Sequence, residues 1–455
     1  MKTVLNNQHI FFDTQKTKDV NFRISYLKKL LNEIIAKEDV ICDALYLDFK
    51  KPKFETLASE TQFVIAELKS LIKKTKSWAK PKRVSSALLN WPSSDYIYKE
   101  PYGAVLIIAP WNYPFQLAIA PLIGAIAAGN TAVIKPSEIT PNTSKIISEI
   151  IKNVFPENYV TVIQGGVEVS EKLLAENWDY IFFTGSTKVG KIIYESAAKH
   201  LTPVTLELGG KNPTIVDETA NIAVAAKRIV WGKFLNAGQT CIATDYILAH
   251  NNIKLKLIGE LKKAITAFYG EDIEQSNDFA RTVSKNHYNG LVDMLNGEKI
   301  LFGGQKNDSD NYLAPTLVYE PKANSKLMEG EIFGPILPII GYEKDEEIQQ
   351  HISRYGKPLA TYVFSEDKSF QDKIIANYSF GGGAINDTVI HITNKKLPFG
   401  GVGSSGIGAY HGKTSFDLFS HSKSIVKKGT WIDIPLRYAP YTTPIKWVKK
   451  IQKLF

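Results

Sequence analysis

Two side chains in this sequence have the type and the neighbours for covalent chemistry. Cys241 closes the run Asn236-Ala237-Gly238-Gln239-Thr240-Cys241, a glycine-containing turn after an apolar helical pattern over 220–235. A turn leaves a cysteine partly exposed, and its surroundings can then give it the thiolate character that a nucleophile needs. A buried, inert thiol is the other reading of a lone cysteine. Glu207 lies in Val-Thr-Leu-Glu-Leu-Gly-Gly-Lys over 204–211, in strand-like surroundings that end at Gly209 and Gly210. Burial there would raise its pKa and make it a usable general base. A strand-edge glutamate facing solvent is the alternative. No cluster of His and Cys stands near Cys241, and the eight histidines show neither HExxH nor CxxC-type spacing. No metal is therefore expected.

Two further stretches could take a phosphorylated ligand. Thr184 to Gly190 (TGSTKVG) ends a strand pattern and opens a helix. Free N–H groups at such a point suit phosphate. Neither GxGxxG nor GxxxxGK[ST] is present, so the placement within strand–helix units carries more weight than the motif. Lys135 and Glu138, in Lys-Pro-Ser-Glu, sit just past another strand pattern, where a ribose or phosphate could lie. Their bland role is loop solvation. Asn112, in a turn after an apolar run, reads by itself as a capping residue.

The elements that would hold these residues can be read from periodicity. Over the first eighty residues Leu27, Leu30, Leu31, Ile34 and Ile35 recur at helical spacing, as do Phe63, Ile65, Leu68, Leu71 and Ile72. The run Lys80 to Arg83 (KPKR) breaks the pattern and reads as a solvated linker. The texture then changes. Continuous apolar runs at 104–109, 131–134, 159–163 and 179–183 predict buried strands, with helices between them over 115–128, 141–151 and 190–199. This alternation predicts a parallel α/β sheet. A second large unit begins near Leu208, with a helix over 220–235 and a strand over 361–364.

Composition narrows the class. The 455 residues carry 55 Lys plus Arg against 46 Asp plus Glu, a formal charge of +9. That mild excess suits anionic cofactors or lipids without calling for nucleic acid. Two cysteines, Cys42 and Cys241, exclude a disulfide framework and point to a reducing compartment. The N-terminus has no uninterrupted apolar segment of signal-peptide type. The most apolar tract, 117–128, is only twelve residues long and contains Pro121 and Gly124. A membrane span usually needs about 20 residues. A soluble, cytoplasmic protein is expected.

Taken together, six motifs resemble those of the aldehyde dehydrogenase superfamily. They are PWNYPF (110–115), KPSE (135–138), FTGS (183–186), LELGGK (206–211), GQTC (238–241) and EIFGP (331–335). A short N-terminus and the C-terminal stretches LPFGG (397–401), Tyr410-His411-Gly412-Lys413, Ser415-Phe416 and Arg437-Tyr438 resemble the class 3, dimeric branch. The resemblance implies an α/β fold with a parallel Rossmann-like cofactor sheet, a second α/β catalytic domain and a small oligomerisation element. It divides the chain into an N-terminal helical region (1–80), an NAD(P)-binding domain (81–207, with 85–100 partly in the oligomerisation element), a catalytic domain (208–395), and a return segment with oligomerisation strand and basic tail (396–455).

The resemblance also implies roles. Cys241 attacks an aldehyde, the Asn112 amide and the Cys241 N–H steady the oxyanion, and Glu207 activates water against the thioester. Trp111, Lys135, Glu138, Gly185, Ser186, Val189, Glu331 and Phe333 are implied at the cofactor, and Tyr113, Ile242 and Ile392 along an apolar substrate tunnel. Glu138 favours a free ribose hydroxyl pair. Lys188 would favour a 2′-phosphate. NAD is expected to be preferred, with some use of NADP. Medium- or long-chain aliphatic and some aromatic aldehydes are the expected substrates. The rival readings are a coenzyme A-acylating enzyme, which Glu207 argues against, and a cysteine esterase without redox chemistry. The partners are then a small aldehyde and a second copy of the chain. The tail 445–455 reads as a helix with Trp447, Val448, Ile451, Leu454 and Phe455 on one side and four lysines besides. It suits either packing on the dimer or an anionic membrane surface.

Overall fold

The computed structural model describes residues 1–87, 90–433, 435–442 and 444–452. Two large sheets and two small ones organise them, the smallest pairing Lys306–Asn307 with Tyr312–Leu313. The first runs in the order Gly406–Ile407, Val204–Leu208, Tyr180–Gly185, Ala104–Ile108, Thr131–Lys135, Val160–Val162. All its neighbours are parallel except the short Gly406–Ile407. Ala104–Ile108 and Thr131–Lys135 are buried along their whole length, as continuous apolar strands covered on both faces must be. The chain steps outward from Ala104–Ile108 to Val160–Val162, then returns to Tyr180–Gly185 on the other side. That reversal makes the crevice at which open α/β sheets bind nucleotides.

Alternate residues of these strands feed two cores. Val105, Ile107, Ala132, Ile134 and Phe182 face the helices Gln116–Ala128 and Pro141–Val154. Leu106, Val133, Ile181, Phe183 and Leu206 face Leu173, Trp178 and Ile193. Gln116–Ala128 is buried at every residue and stops at Gly129, whose φ of 104° ends the helix in the left-handed region. Outside it lie the N-terminal helices Val20–Ala36 and Gln62–Trp78. Each buries one stripe, Leu27, Leu30 and Ile34 on the first and Val64, Leu68 and Leu71 on the second. Arg23, also buried, donates to the carbonyls of Thr17 at 2.5 Å and Ala127 at 3.2 Å, the latter at the end of the buried helix. A cation there complements the orphan carbonyls and the dipole.

The second sheet has seven strands: Ile300–Phe302, Thr316–Tyr319, Ile336–Tyr342, Tyr246–His250, Pro213–Val216, Ala360–Phe364 and Gly382–Ile385. Only Ile300–Phe302 is antiparallel to its neighbour. The chain thus has an α/β fold with a Rossmann-like sheet and a separate catalytic α/β unit. Lys82–Val84, Ser93–Pro101 and Ser420–Lys428 form a third, antiparallel sheet, registered from Ser420 opposite Pro101 to Lys428 opposite Ser93. Its first strand corrects the reading of 80–83 as a linker. Lys82 and Arg83 are exposed as expected, but their backbone pairs with Ile97 and Tyr96.

Ile445–Gln452 is helical, with Ile445, Trp447 and Val448 exposed. The expectations for Lys453, Leu454 and Phe455 lie outside the described residues. Among those described, no helix is long and apolar enough to cross a membrane.

Candidate active site

The two large sheets meet end to end. Trp111 and Asn112 follow Ala104–Ile108. Lys135 closes its strand, Gly185 and Ser186 close and follow theirs, and Glu207 is next to last in Val204–Leu208. All lie at carboxyl ends of the first sheet. From the second sheet the contributing loops lie at amino ends: Lys211 and Asn212 before Pro213–Val216, Cys241 before Tyr246–His250, and Glu331 and Phe333 before Ile336–Tyr342. Contacts join the two sets. The Asn112 amide donates to the Gln239 carbonyl at 3.1 Å, and the Tyr113 hydroxyl pairs with Thr240 Oγ1 at 2.7 Å. The rings of Trp111 and Phe333 stand edge to face at 5.2 Å.

The cysteine loop is conformationally costly. Asn236, Ala237 and Gly238 take φ of 56°, 54° and 76° in succession. An L-residue in that region costs roughly 1–2 kcal/mol. The surroundings offset this with a dense hydrogen-bond set. Asn236 N–H donates to Glu55 Oε2 at 2.9 Å, and its amide donates to the carbonyls of Asn112 and Gln239. The Gln239 side chain donates to the carbonyls of Asn236 and Arg281 and accepts from Val283 N–H. Asn212 holds the Cys241 carbonyl at 2.7 Å. Gly238 admits no side chain, since a Cβ there would lie 2.3 Å from the Gly334 carbonyl oxygen. The GQTC and EIFGP loops are thereby pressed together.

Cys241 is half-buried. Burial, then the nearby carboxyls of Glu331 and Glu207, push its thiol pKa up, while the N–H groups of Cys241 and Ile242 pull it down. Glu207 is 3 % exposed, and neither of its oxygens has a hydrogen-bond partner. Burial alone holds it well above the ordinary carboxylate range. Of the two sequence readings, the buried carboxyl is the one observed.

The residues implied at the cofactor lie at or just past carboxyl ends of the first sheet, or in the loop before Ile336–Tyr342 of the second. Ser186 caps the helix Thr187–Ala198 by accepting from Val189 N–H, and Ser186 and Val189 are exposed. Lys135 is buried and ion-paired to the partly exposed Glu138 at 2.5 Å. Glu331 reaches back across Gly209, where a Cβ would fall 1.9 Å from its carboxylate. Burial first, then Asp245, push its pKa up to about 8, opposed by Gly210 N–H, Lys211 and Lys233. Its loop is fastened by a buried ion pair: Lys211 Nζ lies 2.7 Å from Asp245 and donates to the carbonyls of Leu327 and Gly330, while Asp245 accepts from Ile332 N–H. Glu331 Oε1 and Thr184 Oγ1 are buried without a partner. A buried acceptor left open, an accessible helix N-terminus and a glycine cradle fit a dinucleotide.

A cavity of ≈ 540 Å³ opens on Cys241, within the usual range of about 300–1,000 Å³ for small-molecule sites. Its walls are mainly apolar. Tyr113, Ile242 and Ile392 line it as expected, with Phe54, Trp231 and Phe268 exposed toward solvent. Sequence reasoning missed three contributors. Lys51 and Glu60 form a fully buried ion pair at 2.7 Å beneath Tyr113, with Lys51 Nζ 3.9 Å from the ring centroid. Glu60 also accepts from the N–H groups of Phe115 and Gln116, the orphan donors at the start of the buried helix. His287 packs on Trp111 and hydrogen-bonds the Phe333 carbonyl at 2.8 Å. Only contacts distant in sequence mark these residues. Among the described residues no group of His, Cys, Asp and Glu is arranged to hold a metal.

Residues 7–425 match the aldehyde dehydrogenase family, and the chain belongs to it. It is 51% identical over 445 residues to the 4,4'-diaponeurosporen-aldehyde dehydrogenase of Staphylococcus aureus, covering 97% of both chains. It is 42% identical to the dimeric NADP-preferring aldehyde dehydrogenase of Canis lupus familiaris, over 96% of this chain and 97% of that one. The solved substrate-bound state of Staphylococcus aureus AldH superposes with a TM-score of 0.97 at 49% identity, covering 99% of each chain. The similarities are strong to the class 3 branch, and the chain is an aldehyde dehydrogenase using NAD(P). The expected preference for NAD is corrected by the NADP-preferring relatives. Glu138, on which that expectation leaned, is held in an ion pair with Lys135, so its charge is partly compensated.

Proposed function

We propose that this enzyme oxidises long, apolar aldehydes to carboxylates, with NADP preferred, and that Cys241, Asn112 and Glu207 carry the chemistry. The observation that supports this is the unpartnered, buried Glu207 carboxyl, electrostatically coupled to the Cys241 thiol at the end of an apolar cavity.

The Cys241 thiol gives its proton to solvent water, and Sγ adds to the aldehyde carbon as the carbonyl π pair moves onto oxygen. One N–H of the Asn112 amide is engaged by Gln239, which fixes its plane and leaves the other for the developing oxyanion, together with Cys241 N–H. Such donors typically contribute about 3 kcal/mol each. When bound, the nicotinamide supplies the hydride acceptor. Glu331 would hold its ribose, Trp111 and Phe333 would wall the ring, Gly185, Ser186 and Val189 would meet the pyrophosphate, and Lys135 and Glu138 the adenosine end. Glu207 then takes a proton from water as that water attacks the thioester. The C–S bond breaks, and carboxylate and thiol result. A base placed for water favours hydrolysis over transfer to coenzyme A.

The Staphylococcus aureus relative is named for 4,4'-diaponeurosporen-aldehyde. An apolar cavity with exposed Phe54, Trp231 and Phe268 suits a long apolar chain whose far end passes the rim. The test follows reduced-cofactor absorbance across aldehydes from acetaldehyde to hexadecanal, benzaldehyde and 4,4'-diaponeurosporen-aldehyde, with Cys241→Ala as blank. Rising kcat/KM with chain length supports the reading, and preference for acetaldehyde overturns it. Running the panel with NAD and NADP tests the cofactor.

We also propose a homodimer built through the sheet containing Ser420–Lys428. The exposed Trp447 and Val448, flanked by Lys446 and Lys449, give the tail an amphipathic surface suited to anionic lipid. Equal liposome binding by the full chain and a form ending at Pro444 overturns that part.

A further inference from the structure

Beside the cavity lies a second group of buried polar atoms that the chemistry above does not use. Gln116 and Tyr410 line the cavity together with Cys241. Gln116 Nε2 and the Tyr410 hydroxyl lie near one another without completing a hydrogen bond. The Tyr410 ring stands edge-on to His411 at 4.1 Å between centroids. Both nitrogens of His411 lack a partner, as do both of His391, which lies across Phe399 from it. Glu67 Oε1 accepts from Gly412 N–H at 2.6 Å, while its Oε2 is buried and open. Lys395, half-buried at the surface, faces both Glu67 and His411. Buried polar groups are rarely left unsatisfied, because each orphan keeps its full desolvation cost. So many open polar atoms in one place, next to a cavity, form the kind of lining that buried water satisfies.

We propose that Gln116, Tyr410, His411 and Glu67 form a water-filled proton route that carries the proton accepted by Glu207 out toward Lys395. The proposal rests on the reading of Glu207 as the base. In deacylation, water forms the new C–O bond, Glu207 takes one of its protons, and the C–S bond breaks to return Cys241. One proton per turnover must then leave Glu207 for solvent. Tyr410 lies close enough to couple electrostatically with both Glu207 and Cys241. Burial holds His411 down to about 3, with the nearby Lys395 and His391 acting in the same direction. The imidazole is therefore neutral at working pH, and a neutral imidazole accepts at one nitrogen and donates at the other. Tyr410 and His411 are positioning residues here, acting on the proton after it has left water.

The probe is p-nitrophenyl acetate. Its burst counts acylation of Cys241, and its steady state reports deacylation without cofactor. His411→Gln and the isosteric Tyr410→Phe should retain the burst. Their steady-state rates should fall about tenfold in dilute buffer, with a larger solvent isotope effect, and added imidazole should restore them. Full steady-state rates in both variants, or a deficit that takes the burst with it and ignores imidazole, overturn the route. Glu207→Gln separates the two readings. A deficit there with none in Tyr410→Phe and His411→Gln overturns the route alone. An unchanged steady state in Glu207→Gln overturns the base and the route with it.

Discussion

At the centre of the candidate site stands a carboxyl that its neighbours deny any ordinary partner. Glu207 faces no cation and accepts no hydrogen bond, so burial keeps it protonated beyond the usual carboxylate range. As a base it acts only when ionised, so hydrolysis should quicken as pH rises until that ionisation is complete. Glu207→Gln should remove this limb from the pH profile, and lower turnover by 10² or more while the acylation burst survives. Asn112→Ala should slow acylation about a hundredfold, with little change in cofactor affinity, as rapid-quench measurement of the first turnover would show. Glu331 links function to stability. Its pKa in the folded chain is about 8 against an ordinary 4.5. Between those values the folded state holds a proton that the unfolded state has released, so its contribution destabilises progressively as pH rises. Glu331→Gln should therefore unfold at higher urea than the parent at pH 8.5 and at the same urea at pH 4, while binding cofactor more weakly.

At the scale of elements, the loop 236–241 shows a costly backbone held by distant parts of the chain. Gly238→Ala would place a Cβ against the Gly334 carbonyl in a residue already at φ 76°. It should cost well over 1 kcal/mol and abolish acylation, whereas Ala237→Gly should be close to neutral in denaturation. Breaking the Lys51–Glu60 pair by Glu60→Ala should cost about 3–5 kcal/mol, because it strands a buried ammonium and frees two helix-start donors. The strands and helices from 104 to 199 were legible in the sequence. Their apolar runs are uninterrupted, and Gly or Asn marks several ends. Cys241, Glu207 and the motif residues were legible because short segments carry them. The Ser93–Pro101 and Ser420–Lys428 ribbon was not legible in periodicity, since its strands lack clean alternation and pair across more than 300 residues; only the family resemblance pointed to an oligomerisation element in those stretches. Lys51, Glu60 and His287 were not either. A lysine in a polar stretch carries no mark that it will be covered by a tyrosine sixty residues away.

At the scale of the whole molecule, the three-stranded sheet has an open edge on Ser420–Lys428, which pairs on one side only among the described residues. Open edges invite another strand unless they are covered. Sedimentation equilibrium should return twice the 50.8 kDa chain mass.

The meeting of carboxyl ends with amino ends has a consequence for how this enzyme fails. Neither sheet owns the whole proposed site: Glu207 and Asn112 sit at one, and Cys241 at the other. One buried apolar cluster runs through both sheets, Val105, Ile107 and Ile134 of the first with Ile247, Leu337 and Tyr362 of the second, so the core that holds the fold also holds the two halves of the site in line. Denaturant should therefore silence the enzyme and melt it together. Turnover and circular dichroism should fall over one urea range, and loss of turnover well before the loss of secondary structure would show that the two sheets part first.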